Sequence, residues 1–477
     1  MSDPAKTVHF VSLGCPKNRV DSEVMLGVAQ RAGYAHVGDA SEANVIVVNT
    51  CGFIDAAKKE SIDTILQLAE FKRHGRCEKL VVAGCLSQRH PEELAADLPE
   101  VDHFLGSSDM LQLAPVLSGT AARLLVGQPS DWVVSAEDPR VLSTRGASAY
   151  VKIAEGCNRS CSFCVIPSLR GKQRSRSPED VVREVERLAA AGVVEINLVS
   201  QDTVAYGRDL PRGTDLIRLV ERVADVAGVR WVRLFYLYPE KLSDALLELM
   251  AEHPRVLPYV DMPLQHASDA VLKRMRRGHG GHAMRQLVER MRAKISDLTF
   301  RSAFIVGHPG EGEAEFEELM DFVRWAELDN VGVFLYSDEE SSQSFEQDAK
   351  VPRKTAAARA KRLMKTQQKI SRTKNQARVG RELDVLVEGP SEESELVLVG
   401  RHGGQAPDID GIVYLSGDTL PGQMRRVRVT QATDFDLLGE VIDEELTGDG
   451  SGDAAPALGP SPLVFHGSDG RRVLRTV

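Results

Sequence analysis

Apolar and polar positions change their period repeatedly along this chain. Residues 8–13, 45–48 and 80–83 are short apolar, β-branched runs of strand length, and residues 19–32 and 55–70 place apolar positions at helical spacing. Buried strands alternating with amphipathic helices predict a parallel sheet covered by helices. The alternation resumes near residue 149, with strands predicted over 150–154, 194–199, 231–236, 257–260, 301–306 and 331–335. One intervening helix, over 178–191, has Ser177 as its N-cap and Pro178 at its first position. Six strand–helix units predict a partial or open relative of the β/α barrel, with chemistry at the carboxyl ends of the strands.

Three further stretches break this pattern. Residues 119–148 mix Gly, Pro, Asp and Ser without clear period and read as a linker at a domain boundary, with a short strand as an option at Trp132-Val133-Val134. Residues 350–381 are rich in Lys and Arg, and residues 350–380 contain no acid; they read as a solvated helical connector over an acidic neighbour. From residue 382 apolar residues alternate and glycine is frequent, which predicts a small β-barrel. The expected domains are 7–122, 143–375 and 377–445, followed by a disordered tail over 447–477 that is rich in Gly, Asp, Ala, Pro and Ser.

Composition narrows the class. At 477 residues the chain has room for two to four domains, and 42% apolar content is ordinary for a globular protein. No apolar run is long enough to span a bilayer, and the first residues lead into a strand-like run without the apolar core of a signal peptide. The expected setting is the cytoplasm, where thiols stay reduced and available to metal. A net charge of −10 disfavours a nonspecific nucleic-acid binder. Residues 381–445 alone carry fifteen Asp and Glu against five Arg and no Lys, which repels phosphate and suits a basic protein partner.

Six of the seven cysteines fall into two groups of three. Cys157, Cys161 and Cys164 lie at C-x3-C-x2-C, just after a strand and the turn-forming Gly156. Three closely spaced thiolates suit a four-iron cluster with one iron left open. Zinc is the main rival, yet it usually takes four protein ligands, and no fourth Cys or His lies nearby. Cys15, Cys51 and Cys85 each end a predicted strand of the first sheet, each beside a glycine. Ligands in open α/β sheets gather outside the carboxyl ends of the strands, so these three can converge into a second cluster site. The plain alternative is three small buried thiols. Cys77 precedes its strand and reads as a loop thiol without a ligand role.

The loop from Gly156 to Cys164 resembles the signature of the radical S-adenosylmethionine (SAM) enzymes. Leu13-Gly14-Cys15-Pro16-Lys17-Asn18-Arg19-Val20-Asp21-Ser22-Glu23, Asn49-Thr50-Cys51-Gly52 and Gly84-Cys85-Leu86 are similar to three motifs of the methylthiotransferases, and residues 382–445 resemble their TRAM module. The likeness covers nearly the whole chain except its tail. Pro16-Lys17-Asn18 and Ala406-Pro407-Asp408-Ile409-Asp410-Gly411 resemble the RimO branch, which acts on small-subunit ribosomal protein twelve. The fold implied is α/β: an N-terminal parallel α/β sheet domain, a central partial β/α barrel (radical SAM) and a C-terminal small β-barrel (TRAM).

The resemblance implies two [4Fe-4S] clusters, an auxiliary one on Cys15, Cys51 and Cys85 and one on Cys157, Cys161 and Cys164 that binds SAM at its open iron. Gly307, Pro309, Gly310 and Glu311 look like the SAM-contact segment. It implies methylthiolation of the β-carbon of an aspartate in ribosomal protein twelve, free or within the ribosomal subunit. One SAM would methylate sulfur at the auxiliary cluster and another would generate the radical that removes substrate hydrogen. Breaking an unactivated C–H bond is beyond protein acids and bases, so a cofactor must carry it. A low-potential donor such as flavodoxin or ferredoxin and a sulfur donor would serve it, with no membrane partner. Two alternatives stand beside this: a MiaB-like tRNA adenosine methylthiotransferase, and a non-enzymatic iron–sulfur carrier or redox sensor. No catalytic residue is assigned beyond the cluster ligands; His266 and His308 read as polar loop residues, and the basic run 274–278 as solvated.

Overall fold

The computed structural model describes residues 6–144 and 146–442; the tail predicted over 447–477 lies outside the described residues. No helix among the described residues is long and apolar enough to cross a membrane.

The N-terminal region forms β1 (Thr7–Ser12), α1 (Pro16–Arg31), β2 (Ala35–His36), β3 (Val45–Thr50), α2 (Asp55–Ala69), β4 (Lys79–Gly84), β5 (His103–Leu105) and β6 (Leu124–Leu125). Its six strands are all parallel and ordered β2-β1-β3-β4-β5-β6. Side chains alternate across a strand, so apolar residues serve both faces. Val8, Phe10, Val45, Val47 and Val81 pack one core, while Val11, Ile46, Val48, Leu80 and Val82 pack the other.

Two expectations change here. The predicted linker contributes β6, which pairs with β5, whereas Trp132-Val133-Val134 forms no strand. The stretch that follows is a tightly held strap. Arg140 donates to Glu23 (Nε–Oε2 2.8 Å), and Ser143 donates to Glu23 Oε1 through its backbone N–H at 2.8 Å and its hydroxyl at 2.6 Å. Isolated charges are expensive to bury, so the fully buried Glu23 draws the strap onto α1.

The central region adds β7 (Ser148–Lys152), β8 (Ala154–Glu155), β9 (Arg174–Ser175), β10 (Glu195–Val199), β11 (Trp231–Leu234), β12 (Val256–Asp261), β13 (Thr299–Val306) and β14 (Asn330–Leu335). Six of these form one open parallel sheet, β14-β13-β12-β11-β10-β7. The predicted strand 150–154 divides: Ala154 and Glu155 leave the main sheet and pair with Ser175 and Arg174. The helix Pro178–Ala190 begins as expected, with Ser177 Oγ accepting from Asp180 N at 3.2 Å. The basic helix Arg353–Gln376 lies over acids, with Arg359 and Arg362 paired to Glu313 and Lys374 to Asp329.

The C-terminal strands, β15 (Glu382–Pro390), β16 (Leu398–His402), β17 (Val413–Ser416), β18 (Met424–Ala432) and β19 (Leu437–Val441), close a barrel ordered β15-β16-β17-β19-β18. The parallel pairing of β17 with β19 completes a five-stranded Greek-key closure around Val385, Val387, Val413, Val427 and Leu437. Glu195 of β10 anchors the barrel by accepting from Arg401 Nη2 at 2.5 Å and from Arg233 Nη2 at 3.0 Å. Val20 and Val24 of α1, Tyr150 and Tyr259 of the central sheet, and Leu386 and Ala406 of the barrel share one apolar core.

Candidate active site

Strand order explains why three cysteines spread over 71 residues meet. The chain leaves β1 toward β2 and then crosses back to β3, so the strand order reverses between β1 and β3 and the carboxyl ends of β1, β3 and β4 stand side by side. Cys15 follows β1 and caps α1 in an extended conformation; Cys51 follows β3 and Cys85 follows the neighbouring β4. Gly14 lies in the left-handed region (φ +92), and a Cβ there would stand 2.9 Å from Cys51 Cβ. Only glycine lets these two loops come so close. Asn18 ties them together: its Nδ2 donates to the carbonyls of Leu13 and Thr50, both at 3.0 Å, and its Oδ1 lies 3.8 Å from Cys85 Sγ. Burial pushes the Cys51 thiol up, and the nearby Cys85 and Cys15 push it further. Burial also raises Cys85, against the opposing charge of Arg170.

The second trio is pinned from three sides. Cys157 N donates to Gly171 O at 3.0 Å, Ser162 N to Met275 O at 3.0 Å, and Ser344 N to Ser162 O at 2.8 Å. Backbone N–H groups of Arg159 and Ile166 point at Cys157 Sγ (3.4 Å) and Cys164 Sγ (3.5 Å), positions that favour thiolate. Cys164 is nevertheless pushed up to about 12, by burial first and then by Cys161 and Cys157. The basic run 274–278 is not simply solvated: Arg277 is buried, with Nη1 at 3.6 Å from Cys161 Sγ. Arg277 and Arg159 both stack on the Tyr238 ring, at 4.0 and 3.7 Å from its centroid. A cavity of about 240 Å³ opens beside this loop, lined in part by Asn158, Arg159, Gln173 and Asp202.

The two trios adjoin. Cys85 packs on Val165 and Leu169, directly downstream of Cys164. Arg170, at the end of the helix Ile166–Arg170, donates to Asn18 Oδ1 at 2.5 Å and Asp21 at 2.7 Å, and its Nε lies 3.4 Å from Cys85 Sγ. Asp21 also pairs with Lys152 at 2.6 Å, and Lys152 with Glu155. Burial would raise Glu155, but Lys152 and Arg170 outweigh it and hold the carboxyl at about 2. The acidic residues of the first motif therefore bind the domains together: Asp21 holds the central region and Glu23 holds the strap.

The segment after β13 is held by contacts within the protein. Glu311 is buried; it accepts from Gly307 N at 2.8 Å, pairs with Arg359 at 2.8 Å and faces His266 at 3.4 Å. A Cβ on Gly307 would meet Ala356, and one on Gly310 would meet Arg274, whose Nε donates to Pro309 O at 2.8 Å. These glycines thus admit protein neighbours, and Glu311 braces its own loop from beneath. His308 Nε2 lies 2.9 Å from Ser344 Oγ, which bonds Ser162 Oγ at 2.8 Å, so this loop also buttresses the cysteine loop. Cys77 is buried, its thiol donating to Lys79 O at 3.3 Å, away from either trio.

Several site residues escaped sequence reasoning. Lys17 and Arg170 are named there as parts of a motif or not at all, and their partners come from other domains. Tyr236 carries no sequence signal. Its backbone is left-handed (φ +56), which is unfavourable for a bulky residue, and its ring lies 3.3 Å from the Lys17 ammonium.

Each trio offers three thiols, a donor set that fits an iron–sulfur cluster. Among the described residues no three His, Cys, Asp or Glu groups gather as ligands of one metal ion. Within each trio the thiols still raise one another's proton affinity. Three thiols that raise one another's proton affinity are relieved when bound metal takes the place of their protons, the chemistry of a thiolate ligand set.

Comparison with known proteins agrees with these three regions. Residues 7–106 match uncharacterized protein family UPF0004, residues 151–323 the radical SAM superfamily and residues 379–442 the TRAM domain. The ribosomal protein uS12 methylthiotransferase RimO of Sorangium cellulosum is 68% identical over 99% of this chain and 98% of its own length. The enzyme of that name from Myxococcus xanthus is 48% identical over 92% of each chain. Among solved structures, the radical SAM methyltransferase TsrM of Kitasatospora setae, with cobalamin and a [4Fe-4S] cluster bound, aligns with a TM-score of 0.51 at 15% identity. It covers 70% of this chain and 75% of its own, a likeness of fold alone.

Proposed function

The chain belongs to the RimO family of ribosomal protein uS12 methylthiotransferases, and we propose that it places a methylthio group on the β-carbon of a uS12 aspartate. It is a radical SAM enzyme, with SAM and a [4Fe-4S] cluster as cofactors and uS12 as substrate. The tRNA-modifying reading is not favoured, because the relatives that match across the whole chain are uS12 enzymes.

Cys157, Cys161 and Cys164 hold the SAM-binding cluster in this proposal, and Cys15, Cys51 and Cys85 hold a second [4Fe-4S] cluster. Gly307, Pro309, Gly310 and Glu311 form the SAM-contact segment in this proposal, with Glu311 bracing the loop. When bound, the cofactors supply the one-electron chemistry that breaks an unactivated C–H bond. The protein holds the two thiol trios in fixed relation. Arg170 and Lys152 balance Asp21 and Glu155 at the seam, so both halves of the site keep one geometry. A low-potential electron donor such as flavodoxin or ferredoxin and a separate sulfur donor complete the system, which we place in the cytoplasm. Domain limits of 143–375 and 377–445 accompany this reading, while the first domain, expected over 7–122, runs on to take in Leu124 and Leu125 of β6.

The observation that carries it is the packing of Cys85 against Val165 and Leu169, which brings one trio beside the other. The test is iron and sulfide analysis of the anaerobic protein, with mass spectrometry of uS12 incubated with enzyme, SAM and reductant. Two clusters per chain and a methylthio mass gain on one aspartate are expected. A single cluster, or an unchanged uS12, overturns the proposal.

A further inference from the structure

The seam between the trios holds one buried cation more than it has carboxylates to match. Asp21 and Glu155 are shared by Lys152 and Arg170. Lys17 is only 7% exposed, and among the described residues no carboxylate lies within ion-pair distance of its ammonium. What it has instead is the face of Tyr236, 3.3 Å away. Burying a cation whose counter-charges stand beyond ion-pair distance is costly. Its position adds to that cost: Lys17 lies in the first turn of α1, where the helix dipole disfavours a cation and where no acidic residue stands.

Two features hold Lys17 in this place. Tyr236 keeps a left-handed backbone at the end of β11, with its N–H donating to Asp261 Oδ2 at 3.0 Å. Asp261 in turn is fixed by Arg301 at 2.8 Å. A strained backbone and an ammonium that no carboxylate touches thus stand at one point. That place is two residues from Cys15, at the carboxyl edge of both sheets.

We propose that Lys17 is the substrate-binding residue that receives the side-chain carboxylate of the uS12 aspartate, resting on the aspartate reading above. An aspartate carries its carboxylate on the carbon to be modified. An ammonium beside the N-terminal trio would therefore hold that carbon next to the sulfur-bearing side of the site. The competing role is that Lys17 only balances the negative charge of thiolates around a cluster.

The test uses the cluster-loaded enzyme and two forms of uS12, one with the target aspartate and one with asparagine there, measuring anaerobic binding and methylthiolation. Wild type is expected to bind the asparagine form about tenfold or more weakly, the loss of one charge-assisted hydrogen bond. Lys17→Met is expected to bring both forms to the same weak affinity, and Lys17→Arg to keep the preference. Equal binding of both forms by wild type overturns the proposal. So does a Lys17→Met enzyme that keeps the preference, whatever its iron content. If Lys17→Met loses iron and binds neither form, Lys17→Gln decides: equal binding of both forms supports the proposal and a kept preference overturns it. A wild-type enzyme that binds uS12 and leaves it unmodified overturns the aspartate reading instead.

Discussion

The Nε of Arg170 stands 3.4 Å from the Sγ of Cys85, although 85 residues separate them in the chain. One guanidinium thus touches a thiol of the first trio from a helix that begins two residues after the last thiol of the second. It also contacts Asn18, Asp21 and Glu155, all buried. The two halves of the site are joined by charge as well as by packing.

Arg170→Met should therefore unfold more easily. It leaves Asp21 and Glu155 with Lys152 alone, and breaking a buried charge pair costs about 3–5 kcal/mol. The denaturant midpoint, measured anaerobically, should fall accordingly. An unchanged midpoint would show that the network adds nothing to stability.

Glu195 predicts an acid limit for the barrel's attachment. Burial would raise its carboxyl, but Arg401 and Arg233 overcome this and bring it from 4.5 to about 2. A depressed carboxyl stabilises the fold above the unfolded value, and the contribution is lost as pH falls through about 2. The amount is on the order of 3 kcal/mol. Glu195→Gln should be less stable at neutral pH and lose less on acidification from about pH 5. Parallel stability–pH curves for the two proteins would count against this.

Gly14→Ala should cost the auxiliary site its metal. The new Cβ would meet Cys51 Cβ at 2.9 Å and strain a backbone at φ +92. Gly33→Ala is the control, with similar strain (φ +83) but nothing within 4 Å. After anaerobic reconstitution the first variant should hold roughly half the iron of wild type, and the second should hold all of it. Equal iron in both would mean that the close approach of the two loops is not required.

The barrel's charge is partly spent internally: Glu382 and Asp384 pair with Arg426, and Glu382 also with Arg428. Glu393 and Glu395 are exposed on the loop between β15 and β16, beside Leu396 at 95% exposure. Reversing both to Lys should weaken binding of basic uS12 several-fold at low salt, with the difference shrinking as salt rises. Affinity that is unchanged at every salt concentration would place the docking surface elsewhere.

Much of this molecule is legible along the chain. Val8 to Ser12 or Val45 to Val48 can only be buried strands, and the Cys157–Cys161–Cys164 spacing acts within one loop, so local pattern suffices. The convergence of Cys15, Cys51 and Cys85 was inferred from strand ends, but their meeting depends on the β2-β1-β3-β4 order, a matter of non-local packing. The strap at Arg140 and Ser143 looked like a linker because its partner, Glu23, is more than a hundred residues away. Glu311 turned inward to Arg359, and Arg277 onto Cys161, for the same reason. Lys17 shows the limit most clearly. Its identity is in the motif, but that it is buried with no carboxylate in contact follows only once Asp21 and Glu155 are seen to pair with Lys152 and Arg170. Hydrophobic period and short-range ligand spacing are properties of neighbours in sequence; the balance of charge at a buried seam belongs to the assembled fold.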